Sequence, residues 1–180
     1  IDEMVGNCEG VKDARSGAPL ESGAVRAGRV KELHSMKNFS VWELRPGREA
    51  RGKKRVRVKW VQDQRAGGVV RCRLVAMEFA TGFRAETFAG TPGLVMVRYA
   101  VSRCATKRST PRPGPRQLSV HDVSCAFLHA EIDEEIYLVL PENVCPEGYV
   151  GYLRKSTYGT RRAAQRWQEH QGGKLKASGF

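Results

Sequence analysis

The chain has 180 residues, a formal net charge of +12 at pH 7 and 41% apolar residues. That length fits one ordinary domain or slightly more, and that apolar content is enough for a core, which excludes a wholly disordered tail. No apolar run approaches the roughly 18 residues of a membrane helix. The chain starts at Ile1 without a charged-then-apolar leader, so we expect no membrane segment, no signal peptide and an excerpt of a longer protein.

The N-terminal part combines an irregular segment with one helix. Residues 1–21 are rich in Gly, Ala and Ser without a clear period, and residues 1–30 are interpreted as a linker or disordered arm. Apolar residues at helical spacing predict a helix from about Ser22 to Lys37. A short strand is expected at 41–44, and a basic loop follows it over 45–54.

Residues 55–77 have the pattern of a β-hairpin. Apolar side chains alternate with basic ones in both arms, and the pair Gly67-Gly68 lies between the arms. Because glycine adopts positive φ without steric cost, this pair suits a tight reversal. The sequence therefore predicts two antiparallel strands that share one basic face.

The second half of the chain alternates helices, strands and turns. A helix is expected from Pro92 to about Lys107, because proline is well placed in a first helical turn. Closely spaced prolines make 109–117 a loop. The remaining expected elements are strands at 117–123, 136–140 and 151–155, a turn at 141–148 and a helix at 160–177.

The number and spacing of the cysteines limit the class of protein. Five cysteines without a CxxC pair argue against a disulfide framework or a structural zinc site, and they favour a reducing compartment. Cys125 and His129 are spaced i, i+4 and could form half of a metal site, with ordinary packing as the alternative.

Charge is distributed unevenly along the sequence. The segment 45–73 has eleven basic and two acidic residues, and the segment 154–176 has seven basic and one acidic. Between them, the segment 122–147 has seven acidic residues and no Lys or Arg. This order predicts a polyanionic partner around a site that could hold cations, and an unevenly charged solvated surface is the alternative.

Carboxylates in the acidic stretch are the candidates for metal binding. Asp122 ends an alternating apolar stretch, and a carboxylate there, helped by the next backbone carbonyl, can hold a divalent cation. An isolated Asp in that position is more commonly a turn former. For the acidic run at 131–135, a solvated loop or turn is the simpler interpretation.

Short motifs occur along the chain in a fixed order. They are Lys59-Trp60-Val61, Arg71 to Ala76, Glu86 to Ala89, Arg98, Asp122-Val123, Ala126 to Leu128, Glu134 to Tyr137, Leu140-Pro141, Tyr158-Gly159, Ala163, Trp167, Leu175 and Gly179-Phe180. Over residues 31–180 this order resembles the reverse transcriptase domain of copia-type LTR retrotransposon Pol polyproteins. That family's pattern includes KWV, KARLVAKGF, ETFAPV, DVxxAFL, EEIYM, LYGLKQAPRxW and LxxxGF.

The resemblance implies an α+β fold, namely the fingers and partial palm of a truncated right-hand polymerase. The fingers would span about 31–107 and the palm about 117–180. The implied function is RNA-directed DNA synthesis by two-metal phosphoryl transfer with Mg²⁺ or Mn²⁺. The implied partners are an RNA or DNA primer–template, dNTPs and the remainder of the Pol polyprotein, with no membrane. The implied location is intracellular, in cytoplasmic virus-like particles or the nucleus.

The resemblance also gives roles to individual residues. Asp122 would be the first catalytic aspartate, and its carboxylate and the Val123 carbonyl would ligate metal. Phe127 would exclude a ribose 2′-hydroxyl, with a core aromatic as the alternative. The implied nucleotide-binding cations are Arg71, Arg73 and Arg162, and the implied nucleic-acid-binding cations are Lys59, Arg161 and Arg166.

Departures from the family pattern bear on activity. Met77-Glu78 replaces Lys-Gly, Gly90 and Ala164 replace prolines, and Arg162 replaces a Gln. The YVDD motif, which carries the other palm aspartates, is expected beyond Phe180. We therefore expect this piece not to polymerise by itself. A non-catalytic nucleic-acid-binding remnant of a decayed retroelement is the alternative function.

Overall fold

The computed structural model describes residues 1–79, 82, 87, 89–90, 93–107, 114 and 116–179. The predicted helix start at Pro92, most of the proline-rich loop, much of the Glu86 to Ala89 motif and Phe180 lie outside these described residues. The chain forms two compact units, one of residues 1–88 and 125–180 and the other of residues 89–124.

Helices and strands alternate along the described chain. In chain order they are α1 (Ser22–Asn38), β1 (Trp42–Pro46), β2 (Lys54–Gln64), β3 (Val70–Ala76), α2 (Leu94–Ala105), α3 (Ala126–His129), β4 (Ile136–Val139), β5 (Tyr149–Leu153) and α4 (Ala163–Ala177). The helix α2 belongs to the second unit and the other elements to the first. None of the helices in the described part of the chain is long and apolar enough to cross a membrane.

The five strands form one mixed sheet in the order β1-β5-β4-β2-β3. Strands β2 and β4 are parallel, and the other neighbours are antiparallel. The predicted hairpin is confirmed, with Trp60 opposite Leu74 and with φ of 76° and 77° at Gly67 and Gly68. The fold is therefore α+β, and the basic hairpin lies at one edge of the sheet.

The core lies where α1 packs along β3. Val25, Leu33 and Met36 recur at helical spacing and pack with Cys72 and Leu74 of the strand. The helix begins at a cap in which the Glu21 carboxylate accepts the first free N–H groups at 2.7 and 2.5 Å. These hydrogen bonds satisfy donors that have no partner inside the helix, and they lower the pKa of Glu21.

The N-terminal segment is packed in the first unit, which corrects the expectation of a linker or disordered arm over 1–30. Val5 and Leu20 are buried in the core. The Arg29 guanidinium donates to the carbonyl of Val5 at 2.7 Å, and the Asp13 carboxylate accepts the N–H of Gln64 at 2.6 Å. Outside the short 3-10 helix Asp2–Val5, scattered polar contacts and a few buried apolar side chains hold the segment in place, so it shows no sequence period.

The strand expected at 117–123 is not formed, and this expectation is corrected too. Residues 117–123 are irregular and exposed, and Val120 is 93% exposed. A strand needs a neighbour for its backbone N–H and C=O groups. Among the described residues no strand pairs with this stretch, so its alternating sequence is not enough to make it extended.

The other predicted elements are present with shifted bounds. The helix expected from residue 160 starts at Ala163 and continues through Gly172-Gly173, and β5 starts at Tyr149. In the second unit, α2 buries none of its residues, and Leu94 and Val95 are 62% and 75% exposed.

Candidate nucleotide and nucleic-acid site

The basic side of the hairpin is its solvent side. Side chains alternate between the two faces of a strand, so the apolar residues of β2 and β3 face the core and the cations point outward. We call the exposed cations of these strands the hairpin face: Arg55, Arg57, Lys59 and Arg71. No acidic side chain in the described part of the chain forms an ion pair with any of these four. They are therefore available to a polyanion.

The acidic residue closest to the hairpin face along the strands, Asp63, already forms an ion pair with another residue. Asp63 lies opposite Arg71 in the strand register and is buried. Its carboxylate forms an ion pair with Arg65 Nε at 2.7 Å. The face therefore keeps its positive charge at the turn end of the hairpin.

Arg73 differs from Arg71 although both side chains leave the same face of β3. Arg73 is half-buried, and its guanidinium carbon lies 5.1 Å from the ring centroid of Tyr158. Its buried Nε has no hydrogen-bond partner among the described residues. A cation over an aromatic ring is held by the ring's negative face. Arg73 thus has a fixed position and a spare donor.

Phe127 reaches the same tyrosine from another element. It lies on the short helix α3, and its ring packs edge-on against Tyr158 with 5.7 Å between centroids and 64° between planes. The helix starts after Cys125, whose φ of 54° is in the left-handed region, and it is anchored by fully buried Leu128. The structure therefore brings together two predicted site residues, Arg73 and Phe127, around Tyr158.

Glu32 is the buried carboxyl next to this group. Its Oε1 accepts the N–H of Leu74 at 3.3 Å, a donor on the edge of the sheet. Burial raises the pKa of Glu32 to about 7, and the hydrogen bond from Leu74 and the charge of Arg73 act against that rise. Glu32 is 7% exposed, so its charge acts on Arg73 with little screening by water.

The acidic segment 131–135 is a loop whose residues Glu131, Asp133 and Glu135 are exposed, as expected, and it also pairs with cations from three places in the chain. Lys53 binds Glu135 at 2.6 Å and Lys54 binds Glu134 at 2.5 Å. The other pairs are Lys155 with Glu131 at 3.2 Å, Arg162 with Asp133 at 2.5 Å and Arg166 with Asp133 at 3.9 Å. The segment therefore neutralises positive charge at the starts of β2 and α4 and just after β5.

The predicted cations near α4 are consequently bound within the protein. Asp133 holds Arg162, and Arg166 also pairs with Glu169 at 2.5 Å. Arg161 donates from its backbone N–H to Glu78 at 2.8 Å and from its guanidinium to the carbonyl of Gly82 at 2.7 Å. These three arginines are less available to a ligand than the hairpin face.

Asp122 and Val123 belong to the second unit, and the other predicted site residues belong to the first. Both are exposed and lie in the irregular stretch that follows Arg116. Among the described residues, no three His, Cys, Asp or Glu side chains lie close enough together to hold a metal ion. The described residues therefore do not by themselves fit the two-metal site that the resemblance implies.

Sequence reasoning missed the partners that fix the predicted site residues. The sequence presents Tyr158 only as part of a motif, and it indicates no role for Glu32 or Asp133. Glu78 is a departure from the family pattern, and in the structure it pairs with Lys54 at 2.7 Å. The Tyr158-Gly159 motif was the available signal, because a ring beside a glycine marks a close backbone approach.

Comparison with known families agrees with the motif order. The family model for reverse transcriptase (RNA-dependent DNA polymerase) matches residues 39–180, which is most of the chain. The resemblance is therefore confirmed at the level of the reverse transcriptase domain. No solved structure matches the chain.

Proposed function

Because this chain belongs to the reverse transcriptase (RNA-dependent DNA polymerase) family, we propose that it forms the fingers and the first part of the palm of a copia-type retrotransposon enzyme. In this proposal the fingers span about 31–107 and the palm about 117–180. The family implies a nucleic-acid template and dNTP substrates in general. The copia assignment is supported by the order of the motifs from Lys59-Trp60-Val61 to Tyr158-Gly159.

The observation that carries the proposal is the hairpin face. Arg55, Arg57, Lys59 and Arg71 are exposed on one side of a two-stranded hairpin, and no ion pair within the described residues engages them. Elsewhere in the same unit, five cations are paired with the four carboxylates of the acidic segment. A positive surface left unpaired while neighbouring cations are paired is suited to the phosphates of a template or a nucleotide.

Arg73 and Phe127 would act on the incoming nucleotide. The guanidinium of half-buried Arg73 would donate to a phosphate oxygen, because guanidinium donors form strong charge-assisted hydrogen bonds with phosphate. Phe127 would lie against the sugar and exclude a 2′-hydroxyl by its bulk. Both contacts would orient the nucleotide, which is the main protein contribution in phosphoryl transfer.

Asp122 would provide a carboxylate to the divalent metals that this enzyme family generally needs, with the Val123 carbonyl beside it. Metals so held would stabilise negative charge on the reacting phosphate. Asp122 is exposed and could approach a ligand from solvent. A site for two metals would need further carboxylates beside it.

The experiment is a salt titration of binding to an RNA–DNA primer–template. Each phosphate contact contributes about 0.7–0.9 to the slope of log K against log salt concentration, with K the association constant. Replacing Lys59 and Arg71 together by alanine should lower that slope by about 1.4–1.8 and weaken binding. The matched control is Lys155→Ala, which removes one cation that is already paired with Glu131.

Two results would contradict this proposal. One is an unchanged slope in the Lys59→Ala/Arg71→Ala variant. The other is a loss of slope per cation in Lys155→Ala as large as that in the double variant, since that would mean that net charge alone drives binding.

The second candidate function is a non-catalytic nucleic-acid-binding remnant. It is favoured by Arg162, which stands where the family usually has Gln and is held by Asp133 at 2.5 Å. In that case the chain would bind the primer–template through the hairpin face but would not bind dNTPs. Nucleotide titration in the presence of primer–template separates the two candidates.

A further inference from the structure

We propose that Tyr158 is a positioning residue of the nucleotide site, which holds the Arg73 guanidinium and the Phe127 ring at fixed places relative to each other. This inference rests on the proposed function, in which Arg73 contacts phosphate and Phe127 contacts the sugar. Tyr158 itself would not need to touch the nucleotide. Its role would be to couple a cation on β3 to an aromatic ring on α3.

Tyr158 is tied to the strand that carries Arg73. Its carbonyl accepts the N–H of Ala76 at 2.8 Å, at the end of β3. The next residue, Gly159, has a φ of +83°, and a Cβ there would lie 2.0 Å from the Ala76 carbonyl oxygen. Only glycine permits so close an approach of the two backbones. The backbone of Tyr158 is therefore fixed three residues along the strand from Arg73.

The ring of Tyr158 makes two different contacts. Arg73 lies over its face at 5.1 Å, and Phe127 packs against it edge-on at 5.7 Å. A ring's face is negative and its edge is positive, so one ring can hold a cation and a second aromatic in separate directions. Neither α3 nor β3 needs to touch the other for the two side chains to keep their spacing.

The surroundings keep Tyr158 neutral and Arg73 in place. Burial, with the nearby Cys125 thiol, raises the pKa of the Tyr158 phenol to about 12, so the ring keeps its proton at physiological pH. Glu32 attracts Arg73 from α1 while it accepts the N–H of Leu74. Arg73 is therefore held by the ring of Tyr158, and Glu32 adds a weaker attraction where it is ionised.

The test is a titration of a fluorescent dATP analogue, mant-dATP, against the chain with a primer–template present. Tyr158→Met keeps volume but removes the ring, and we expect the Kd to rise about fivefold, the factor that corresponds to the loss of about 1 kcal/mol of cation–π attraction. Tyr158→Phe keeps the ring and should stay within about twofold of the unmodified chain. Tyr149→Met, at a tyrosine that is 49% exposed, is the matched control and should leave the Kd unchanged.

Selectivity and coupling give readouts that a merely structural role would not move. In Tyr158→Met the preference for dATP over ATP should fall, because Phe127 loses the ring that fixes it. Adding Tyr158→Met to Arg73→Ala should weaken binding by less than the roughly fivefold expected for Tyr158→Met alone, since the contact between Arg73 and the ring is already gone. Equal fractional losses from Tyr158→Phe and Tyr158→Met would overturn the positioning role.

A measurement on the unmodified chain covers the case in which Tyr158→Met does not fold. A guanidinium stacked on a ring predicts an upfield NMR shift of the Arg73 Nε–H signal, assigned by its loss in Arg73→Lys. A signal at the position of a solvated arginine would overturn the inference.

If the chain binds no mant-dATP, or if Arg73→Ala binds normally, the proposed nucleotide role fails and this inference with it. If Arg73→Ala weakens binding and Tyr158→Met does not, only the positioning role fails.

Discussion

Because the carboxyl of Glu32 is buried, we predict that the free energy of unfolding of this protein falls as pH rises from the acidic to the neutral range. Glu32 lies on the side of α1 that packs against β3, and burial there raises its pKa from 4.5 to about 7. In the unfolded chain this carboxyl loses its proton near its ordinary pKa. Between the two values the folded state binds more protons than the unfolded state, so folding is favoured at low pH. The contribution is complete below about pH 4.5 and is lost as pH rises through about 7.

The size of the effect follows from the shift. One pKa unit corresponds to about 1.4 kcal/mol, so the rise in the pKa of Glu32 amounts to about 3 kcal/mol in the free energy of unfolding. The nearly complete burial of this side chain means that little of this is lost to solvent screening. Replacing Glu32 by Gln removes the titration and keeps an oxygen that can accept the N–H of Leu74.

The assay is urea unfolding followed by tryptophan fluorescence at several pH values from about 4.5 to 8. The difference between Glu32→Gln and the unmodified chain cancels the other titrating groups. From about pH 4.5 to 8 we expect the free energy of unfolding of Glu32→Gln to rise by about 3 kcal/mol relative to that of the unmodified chain. Glu142→Gln, at an exposed turn position, is the control. A difference that stays constant within about 0.5 kcal/mol would refute the assignment of a perturbed, buried Glu32.

Three other changes test separate parts of the structure. Gly28→Ala would place a Cβ 2.5 Å from the Val70 carbonyl and should cost about 1–3 kcal/mol in urea unfolding. Its control Gly172→Ala, in an open part of α4, should add about 0.5–1 kcal/mol. Asp13→Ala removes the carboxylate that ties the N-terminal segment to β2, so limited proteolysis should cut that segment faster, and an unchanged rate would contradict the tie. Asp133→Asn frees Arg162, while Arg166 keeps its pair with Glu169, so the salt slope of nucleic-acid binding should steepen by up to about 0.9. An unchanged slope would show that Arg162 does not reach phosphate.

The spacing of apolar residues was enough to predict those helices and strands in which that spacing is regular. The hairpin at 55–77 and the helix α1 follow from local alternation and helical spacing, which the chain shows without reference to distant residues. The stretch 117–123 shows the limit of this reasoning. It alternates as well as β2 does, but a strand also depends on a neighbour, and no local pattern reports whether that neighbour exists.

The polar partners of the candidate site could not be predicted for a related reason. Lys54 and Glu134 are 80 residues apart in sequence, and Glu32 and Leu74 are 42 apart. Such pairs depend on the order of strands in the sheet, and above all on the parallel pairing of β2 with β4. The motif Tyr158-Gly159 was visible, but its meaning required the position of Ala76.

The overall charge of +12 does not by itself locate a binding surface. Cations at the starts of β2 and α4 and just after β5 are paired with the acidic segment 131–135, so the two sets cancel each other both in the net charge and in their local fields. The hairpin face has no such partner among the described residues. Because opposite charges within a few ångströms cancel at the distance of an approaching ligand, a polyanion would respond mainly to the unpaired set. In the proposed function the acidic segment would therefore help to direct nucleic acid to the hairpin, which is why we expect Asp133→Asn to change where and how strongly the chain binds.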